Sequence, residues 1–409
     1  MTTPLHRTRR ALPARAFAIT LALLLGVVSS ACDHPPAPEA ALARAHDLLA
    51  EHRPDAAAEV LKAALDAGAM NGDLCLQLAG LQMRRGDADA AIGTLEAGVE
   101  QLPEDLDLAT QLGVYLVENG QFARADALLT PVLEHRPDAQ ARFYRGWARE
   151  QLDRPTGALD DYRAAVELDP GWYSPHYRLA RLLEAGGQTD AAAVHRSEFD
   201  RLRRIENEIE SLEGELTTTR GDPALWVRLA QAYARQGRMQ QAADALASAL
   251  AHNPASADLN EYSGDLLLSL GRDAEARTAY ERALRLDDRR ALTWLKLGDL
   301  DYAHREMASA ATSYRRALAV APDFWPAMNN LAWLLLDQEQ PGDEAITLAT
   351  RAAEIHPADI TLDTLAMAHL AHGHLQLSRE IIDRVIEMSP DDPEFQAHRD
   401  MIHERATGP

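Results

Sequence analysis

The sequence predicts an all-α protein, a solenoid of stacked helix-turn-helix units with one extended helix. A period of 34 residues runs through most of the chain, a small residue recurs at the eighth place of each unit, and a proline recurs near the end of most units. Small residues let two helices approach closely, and proline does not continue a helix. A single helix pair cannot bury its apolar face alone, so the units are expected to stack on one another.

The segment 291–324 shows the period most clearly. Places 4, 7, 8, 20, 24, 27 and 32 of this segment are occupied by Trp294, Leu297, Gly298, Ala310, Tyr314, Ala317 and Pro322. These residues resemble the tetratricopeptide repeat. The resemblance implies a right-handed α-solenoid with a concave groove lined by the first helices of the units, and it implies protein partners bound in that groove.

The remaining units follow in register. A degenerate first unit covers about residues 38–71, and a final helix is expected from about Pro393 to Arg405. The other units begin near Gly72, Leu106, Ala139, Tyr173, Pro223, Ala257, Ala291, Trp325 and Asp359. The predicted domains are an array over 41–222 that ends in an extended helix at 189–216, an array over 223–392, and a capping helix and tail over 393–409.

Two local departures from the period are expected to matter. Pro131 falls inside a predicted second helix, where it should kink or shift one turn. Pro341 and Gly342 lengthen the turn inside the Trp325 unit by one residue.

The extended helix carries an apolar seam with coiled-coil spacing. Its members are Phe199, Leu202, Ile205, Ile209, Leu212 and Leu216. One interpretation is extra core against the next repeat. The other is a self-association helix in a salt-sensitive homodimer, because arginines fill its first half and glutamates its second, and an antiparallel copy would bring them together.

The first residues predict export and anchoring. Arg7, Arg9, Arg10 and Arg15 precede an apolar stretch over 16–28, so residues 1–31 are expected to be a signal peptide. Small residues directly before Cys32 resemble the lipobox of bacterial lipoproteins, which implies lipidation of Cys32. Asp33 then favours the periplasmic face of the inner membrane, and residues 32–40 form a proline-rich tether.

Composition and motifs argue against several other functions. The formal charge of −22 disfavours nucleic acid and anionic surfaces, since no basic stripe offsets it. No phosphate-binding loop, serine elbow or metalloprotease helix is present in the sequence. His369, His372 and His374 have no carboxylate or cysteine close in sequence, so we expect no metal site, no cofactor and no enzymatic activity.

The tetratricopeptide resemblance places the candidate binding residues at places 2, 5, 9, 12 and 13 of the first helices. Aromatic rings there suit peptide or sugar contacts, although packing between repeats is the alternative. Acids there suggest a basic or neutral polar partner, although a solvated face is the alternative. The candidates are Phe143, Trp147, Tyr177, Asp258, Glu261, Asp265, Asp299, Tyr302 and Trp333.

The residues Asn329 to Leu335, with those from Asp363 to Ala366, resemble the last repeats of lipoproteins linked to exopolysaccharide and exosortase systems. We therefore expect a membrane-anchored periplasmic scaffold that binds protein partners in an envelope assembly or export complex. The alternative is an accessory protein that binds or exports polysaccharide.

Overall fold

The computed structural model describes residues 37–338 and 342–407, and these residues form 21 α-helices and no strand. The signal peptide, Cys32, Asp33 and Pro341 lie outside the described residues. None of the helices within these ranges is both long enough and apolar enough to span a lipid bilayer.

The chain divides into two compact units, one ending at Arg201 and the other beginning at Leu202. The division falls inside the extended helix α10, whereas the period places its boundary after residue 222. The first unit contains α1 Pro38–Ala50, α2 Pro54–Asp66, α3 Gly72–Arg84, α4 Ala88–Gln101, α5 Leu106–Glu118, α6 Phe122–His135, α7 Ala139–Gln151, α8 Pro155–Leu168, α9 Tyr173–Ala185 and the first part of α10 Thr189–Thr218.

The second unit contains the rest of α10 and eleven further helices. They are α11 Pro223–Gln236, α12 Met239–His252, α13 Ala257–Ser269, α14 Asp273–Leu286, α15 Ala291–Ala303, α16 Met307–Val320, α17 Trp325–Asp337, α18 Asp343–Ile355, α19 Asp359–Ala371, α20 Leu375–Met388 and α21 Pro393–Thr407.

The predicted fold class is confirmed, because the described helices form successive pairs that stack on their neighbours in the chain. The predicted start of each repeat after the first coincides with the first residue of a helix, from Gly72 of α3 to Asp359 of α19. The extended helix begins at Thr189 as predicted and ends at Thr218, two residues beyond the predicted end.

The small residue at place 8 lies where the two helices of a unit meet most closely. In three units this residue is a glycine that faces a buried tyrosine from the second helix: Gly146 faces Tyr162, Gly264 faces Tyr280 and Gly298 faces Tyr314. A Cβ added at Gly298 would lie 2.5 Å from Tyr314 Cε1, which is far inside van der Waals contact. The absence of a side chain at the glycine therefore leaves room for a whole phenol ring.

The turn between the two helices of a unit uses a left-handed residue at place 15. Glycine fills this place in six units, for example Gly237 with φ of 86° after α11 and Gly271 with φ of 68° after α13. His52, Asp153 and Arg305 occupy the same place with φ between 57° and 61°. The turn geometry is thus kept even where a side chain makes it less favourable.

Pro131 does not interrupt its helix or shift its ends. It lies inside α6, which runs unbroken from Phe122 to His135 and has the 14 residues typical of the second helices. The missing N–H affects a single hydrogen bond, and packing against α5 and α7 keeps the helix continuous.

Gly342 caps α18, which begins two places later than the other second helices and ends one place later.

The seam of α10 is core, so the prediction of a self-association helix is wrong for most of its residues. Ile205, Ile209, Leu212 and Leu216 are buried in one cluster with Leu225, Leu229 and Leu246 of α11 and α12. Leu202 is also fully buried. An apolar stripe that is already covered by the chain's own helices has nothing left to offer a second copy.

We predict that Gly298→Ala destabilises the second unit by about 1–3 kcal/mol, because the new methyl group would overlap the ring of Tyr314. Gly214→Ala in α10 is the matched control, since nothing lies within 4 Å of its added Cβ. That change should stabilise the chain by about 0.4–1 kcal/mol. Urea unfolding followed by circular dichroism measures both. Equal stabilisation by the two alanines would contradict the close contact.

Candidate functional site

The acids of the predicted groove are positioned by the buried tyrosines. The Tyr314 hydroxyl donates to Asp299 Oδ1 at 2.9 Å, and the Tyr280 hydroxyl donates to Asp265 Oδ1 at 2.9 Å. In the first unit, the Tyr162 hydroxyl donates to Glu150 Oε2 at 2.7 Å. Each buried ring thus brings its hydroxyl to a carboxylate of the first helix of its unit and holds that carboxylate in place.

The predicted groove acids Asp258, Glu261 and Asp265 form ion pairs within the protein. Lys296 of α15 lies 2.9 Å from Glu261 Oε1 and 2.8 Å from Asp265 Oδ1. Arg290 lies 2.6 Å from Glu261 Oε2 and 2.7 Å from Asp258 Oδ1. Lys296 of the next repeat and Arg290 directly before it thus neutralise much of this charge, so these acids chiefly join neighbouring repeats.

The ionisation of Glu261 reflects this network. Desolvation opposes the carboxylate, but hydrogen bonds from Lys296, Thr293 and Arg290 outweigh it and lower the pKa of Glu261 to about 2. Thr293 Oγ1 donates to Glu261 Oε2 at 2.7 Å from a fully buried position. The carboxylate is therefore a structural anion at neutral pH.

The other predicted groove residues of the second unit meet in one pocket of about 410 Å³, the C-terminal pocket. Asp299 and Tyr302 come from α15, and Trp333 comes from α17. The remaining lining residues are Tyr314, Asn329, Asn330, Ile360, Asp363, Thr364, Asp392, Glu394 and Phe395. The volume is within the range of pockets that accept a ligand or a partner's side chain, about 300–1,000 Å³.

Two carboxylates of the C-terminal pocket differ in their partners. Asp299 accepts hydrogen bonds from Tyr314 and from Asn330 Nδ2 at 2.8 Å, both neutral donors, and desolvation raises its pKa. Asp363 is buried and lies 2.9 Å from His398 Nδ1. Its hydrogen bond raises the pKa of His398, whose ring centroid lies 5.5 Å from that of Trp333.

The prediction that Phe143 is a groove contact is wrong. Its side chain is 4% exposed, and its ring packs 4.5 Å from Trp172 and 5.8 Å from Tyr162 between centroids. Phe143 is also buried in one cluster with Leu179 and Leu183 of α9, so place 5 of this unit faces the next repeat. The packing interpretation is the correct one for this aromatic residue.

Trp147 and Tyr177 lie near the surface of the first unit. Trp147 is half-buried, and the Arg178 guanidinium carbon lies 3.9 Å from its ring centroid. Arg178 also donates to Glu150 Oε2 at 3.0 Å. Tyr177 is 46% exposed and packs 5.3 Å from Phe199, the first member of the predicted seam. These rings remain candidate contact residues.

Several pocket residues were absent from the predicted set. Asn329, Ile360 and Asp363 occupy places 5 and 2 of their units, so the rule that selected the other groove residues also reaches them. Glu394 and Phe395 belong to the predicted capping helix, and Asp392 directly precedes it. No repeat signal points to them, because the cap lies beyond the last unit.

The described part of the chain contains no cluster of three or more histidine, cysteine or acidic side chains that could hold a metal ion. His369 Nδ1 lies 3.1 Å from His374 Nδ1, and desolvation lowers the pKa of His369. This contact joins the end of α19 to the residue that precedes α20.

Two models of the tetratricopeptide repeat match the chain, one over residues 110–171, 227–291 and 295–360 and the other over residues 48–112. Together these matches cover more than half of the sequence. The chain belongs to the tetratricopeptide repeat family. The fold is one suited to protein–protein interaction.

The tetratricopeptide chain is similar to two larger eukaryotic proteins. It is 27% identical over 198 residues to the Protein CTR9 homolog of Arabidopsis thaliana, covering 42% of this chain and 18% of that protein. It is 25% identical over 237 residues to the tetratricopeptide repeat and J domain-containing co-chaperone DNJ1 of Cryptococcus neoformans var. grubii, covering 58% of this chain and 44% of that protein. The chain spans less than half the length of either relative.

Solved tetratricopeptide structures resemble the chain loosely. YrrB, described as a TPR protein with an unusual peptide-binding site, gives a TM-score of 0.41 at 16% identity, covering 47% of this chain and 99% of that one. MamA of Desulfovibrio magneticus RS-1 gives 0.37 at 20% identity, covering 41% and 95%. The Cut9-Hcn1 complex gives 0.40 at 13% identity, covering 94% and 99%. No functional conclusion follows from TM-scores below 0.5.

We predict that Glu261→Gln lowers the free energy of unfolding by about 2–3 kcal/mol at pH 7, because the pKa of Glu261 is lower in the folded state than in the unfolded chain. This stabilisation is complete above the unfolded pKa near 4.5 and is lost as the pH falls towards 2. The gap between variant and native chain should therefore shrink on acidification. Melting curves at pH 7 and pH 3 measure it.

Glu281→Gln is the control for this prediction, since Glu281 is an exposed residue of α14 whose ion pair with Arg285 is 3.7 Å long. A surface change of this kind is expected to alter stability by less than about 0.5 kcal/mol. A loss of stability at Glu261→Gln that did not depend on pH would contradict the assignment to its charge.

Proposed function

We propose that this chain is a membrane-anchored scaffold that binds protein partners in an envelope assembly or export complex. The observation that carries the binding role is the C-terminal pocket, which combines aromatic rings, fixed carboxylates and an exposed apolar residue, Ile360. Aromatic anchors in a concave site with a polar rim are typical of residues that dominate protein interfaces.

The anchoring part of the proposal rests on the sequence of the first residues. A basic segment, a short apolar stretch and small residues before Cys32 are together the pattern of a lipidated, exported protein. Asp33 favours retention at the inner membrane, on its periplasmic side. The proline-rich tether then holds the first repeats near the bilayer.

Polysaccharide handling is the second candidate function. Tyr302 and Trp333 could stack on sugar rings, and Asp299 could accept their hydroxyl groups, all within the same pocket. The two functions differ in what the pocket captures, so one set of variants separates them.

We predict that Ile360→Lys abolishes recovery of the partner in crosslinked co-purification from membranes of the native host. Ile360 is 50% exposed on α19, so the change places a positive charge on the acidic rim of the pocket without disturbing the core. Leu377→Lys is the matched control, because Leu377 is 42% exposed on α20 and lies outside the pocket. The control chain should recover the same protein as the native chain.

Equal recovery by both variants would show that the C-terminal pocket is not the protein-binding surface. If no protein is recovered with the native chain and an oligosaccharide quenches the fluorescence of Trp333, the polysaccharide function replaces the scaffold. Fluorescence of the Trp333→Phe variant identifies the quenched residue.

We predict that Cys32→Ser moves the chain from the membrane fraction to the soluble periplasmic fraction and abolishes labelling with a radioactive fatty acid. The reason is that lipidation requires the thiol. Cys75→Ala is the control, because Cys75 is buried in α3 and packs against Met70. Membrane retention of Cys32→Ser would remove the proposed anchor and leave the binding role intact.

A further inference from the structure

The C-terminal pocket keeps negative charge that the rest of the groove neutralises. Among the described residues, no lysine or arginine lines this pocket, and no ion pair joins Asp299, Asp392 or Glu394 to a cation. Asp392 accepts backbone hydrogen bonds from Glu394 and Phe395 as the cap of α21, at 2.9 and 3.3 Å. Glu261 differs from these acids because it contacts two cations, Lys296 and Arg290.

Asn329 provides an independent observation that points to a ligand. This residue of α17 is 4% exposed and lines the pocket, yet its Oδ1 accepts no hydrogen bond from the described part of the protein. A buried acceptor without a donor costs about 1–3 kcal/mol. A ligand that brings N–H groups into the pocket would remove this cost.

Aromatic rings complete the lining. Trp333 and Tyr302 lie on the α15 and α17 side of the pocket, and Phe395 lies on α21. The face of an aromatic ring attracts a cation by about 0.5–2 kcal/mol. Carboxylates and aromatic faces together therefore favour a positively charged, planar group with several donors.

We propose that the C-terminal pocket receives an arginine side chain of the partner polypeptide. A guanidinium carries five N–H donors in a plane, so it can bond Asn329 and the carboxylates of Asp299 and Glu394 while stacking on an aromatic ring. An ammonium group is compact and strongly hydrated, so a lysine side chain should bind this pocket more weakly than an arginine side chain. This inference rests on the proposed scaffold function and names the chemistry its partner must present.

The test uses the full repeat array labelled with 5-fluorotryptophan and followed by fluorine NMR. The chain has six tryptophans, and the Trp333→Phe variant assigns the Trp333 resonance. The probes are three short glycine-serine peptides with arginine, lysine or citrulline at the centre. Measurements at 150 mM salt limit the effect of the overall charge, since the Debye length is then about 8 Å.

We expect the arginine peptide to shift the Trp333 resonance at the lowest concentration, the lysine peptide to bind more weakly, and the citrulline peptide to cause no shift. Asp299→Asn and Glu394→Gln should each weaken binding of the arginine peptide by at least about threefold. Asp391→Asn is the matched control, because Asp391 is an exposed acid next to the pocket that does not line it. This variant should bind like the native chain.

Three results would overturn the proposal: equal binding of the citrulline peptide, equal binding of the lysine peptide, or an equal loss with Asp391→Asn. Equal binding of the citrulline peptide would show that the pocket does not recognise the positive charge. Equal binding of the lysine peptide would show that it does not distinguish arginine from lysine. An equal loss with Asp391→Asn would show that the carboxylates act only by long-range attraction. If Ile360→Lys still loses its partner in co-purification, only the arginine assignment fails. If both experiments fail, the pocket is not a binding site for protein.

Discussion

Tyrosines buried beneath glycines organise both the fold and the groove of this protein. Tyr280 and Tyr314 are almost fully buried against Gly264 and Gly298, so the two helices of each unit approach as closely as their backbones allow. A buried hydroxyl needs a partner, and in each unit it finds an acid on the groove side of the first helix. One packing contact thus sets the helix spacing and also orients the carboxylates that a partner would meet.

Charge along the groove depends on what the next repeat contributes. Lys296 sits at place 6 of its unit and neutralises Glu261 and Asp265 of the preceding one. At the equivalent place one repeat later stands Asn330, which bonds Asp299 but cannot neutralise it. The change from lysine to asparagine therefore turns a structural ion pair into an available carboxylate. Asp392 and Glu394 likewise have no ion pair among the described residues. Together with Asp299 they give the C-terminal pocket its acidic lining.

The apolar seam of the extended helix does not by itself specify which helix packs against it. The spacing of Ile205, Ile209, Leu212 and Leu216 suits a coiled coil and suits an extra layer on a solenoid equally well. The structure covers these residues with Leu225, Leu229 and Leu246 from the next helices of the same chain. Glutamates in the second half of the helix also find local partners, since Glu206 and Glu208 pair with Arg238 and Arg235. These two glutamates of the predicted charge pattern are therefore paired within the chain.

The sequence by itself determined the fold class, the register of the repeats and the start of the first helix in each unit after the first, because the pattern of small and apolar residues is local and recurs in each unit. It also placed Asp299, Tyr302 and Trp333 on one surface. Only the tertiary structure decided which groove residues are available, because their partners lie 29 to 35 residues away in the adjacent repeat. Phe143 became core, Glu261 became a structural anion, and Asn329 and Glu394 joined the pocket for this reason. Periodicity specifies where a side chain stands, whereas its neighbours across the repeat interface specify what it can bind.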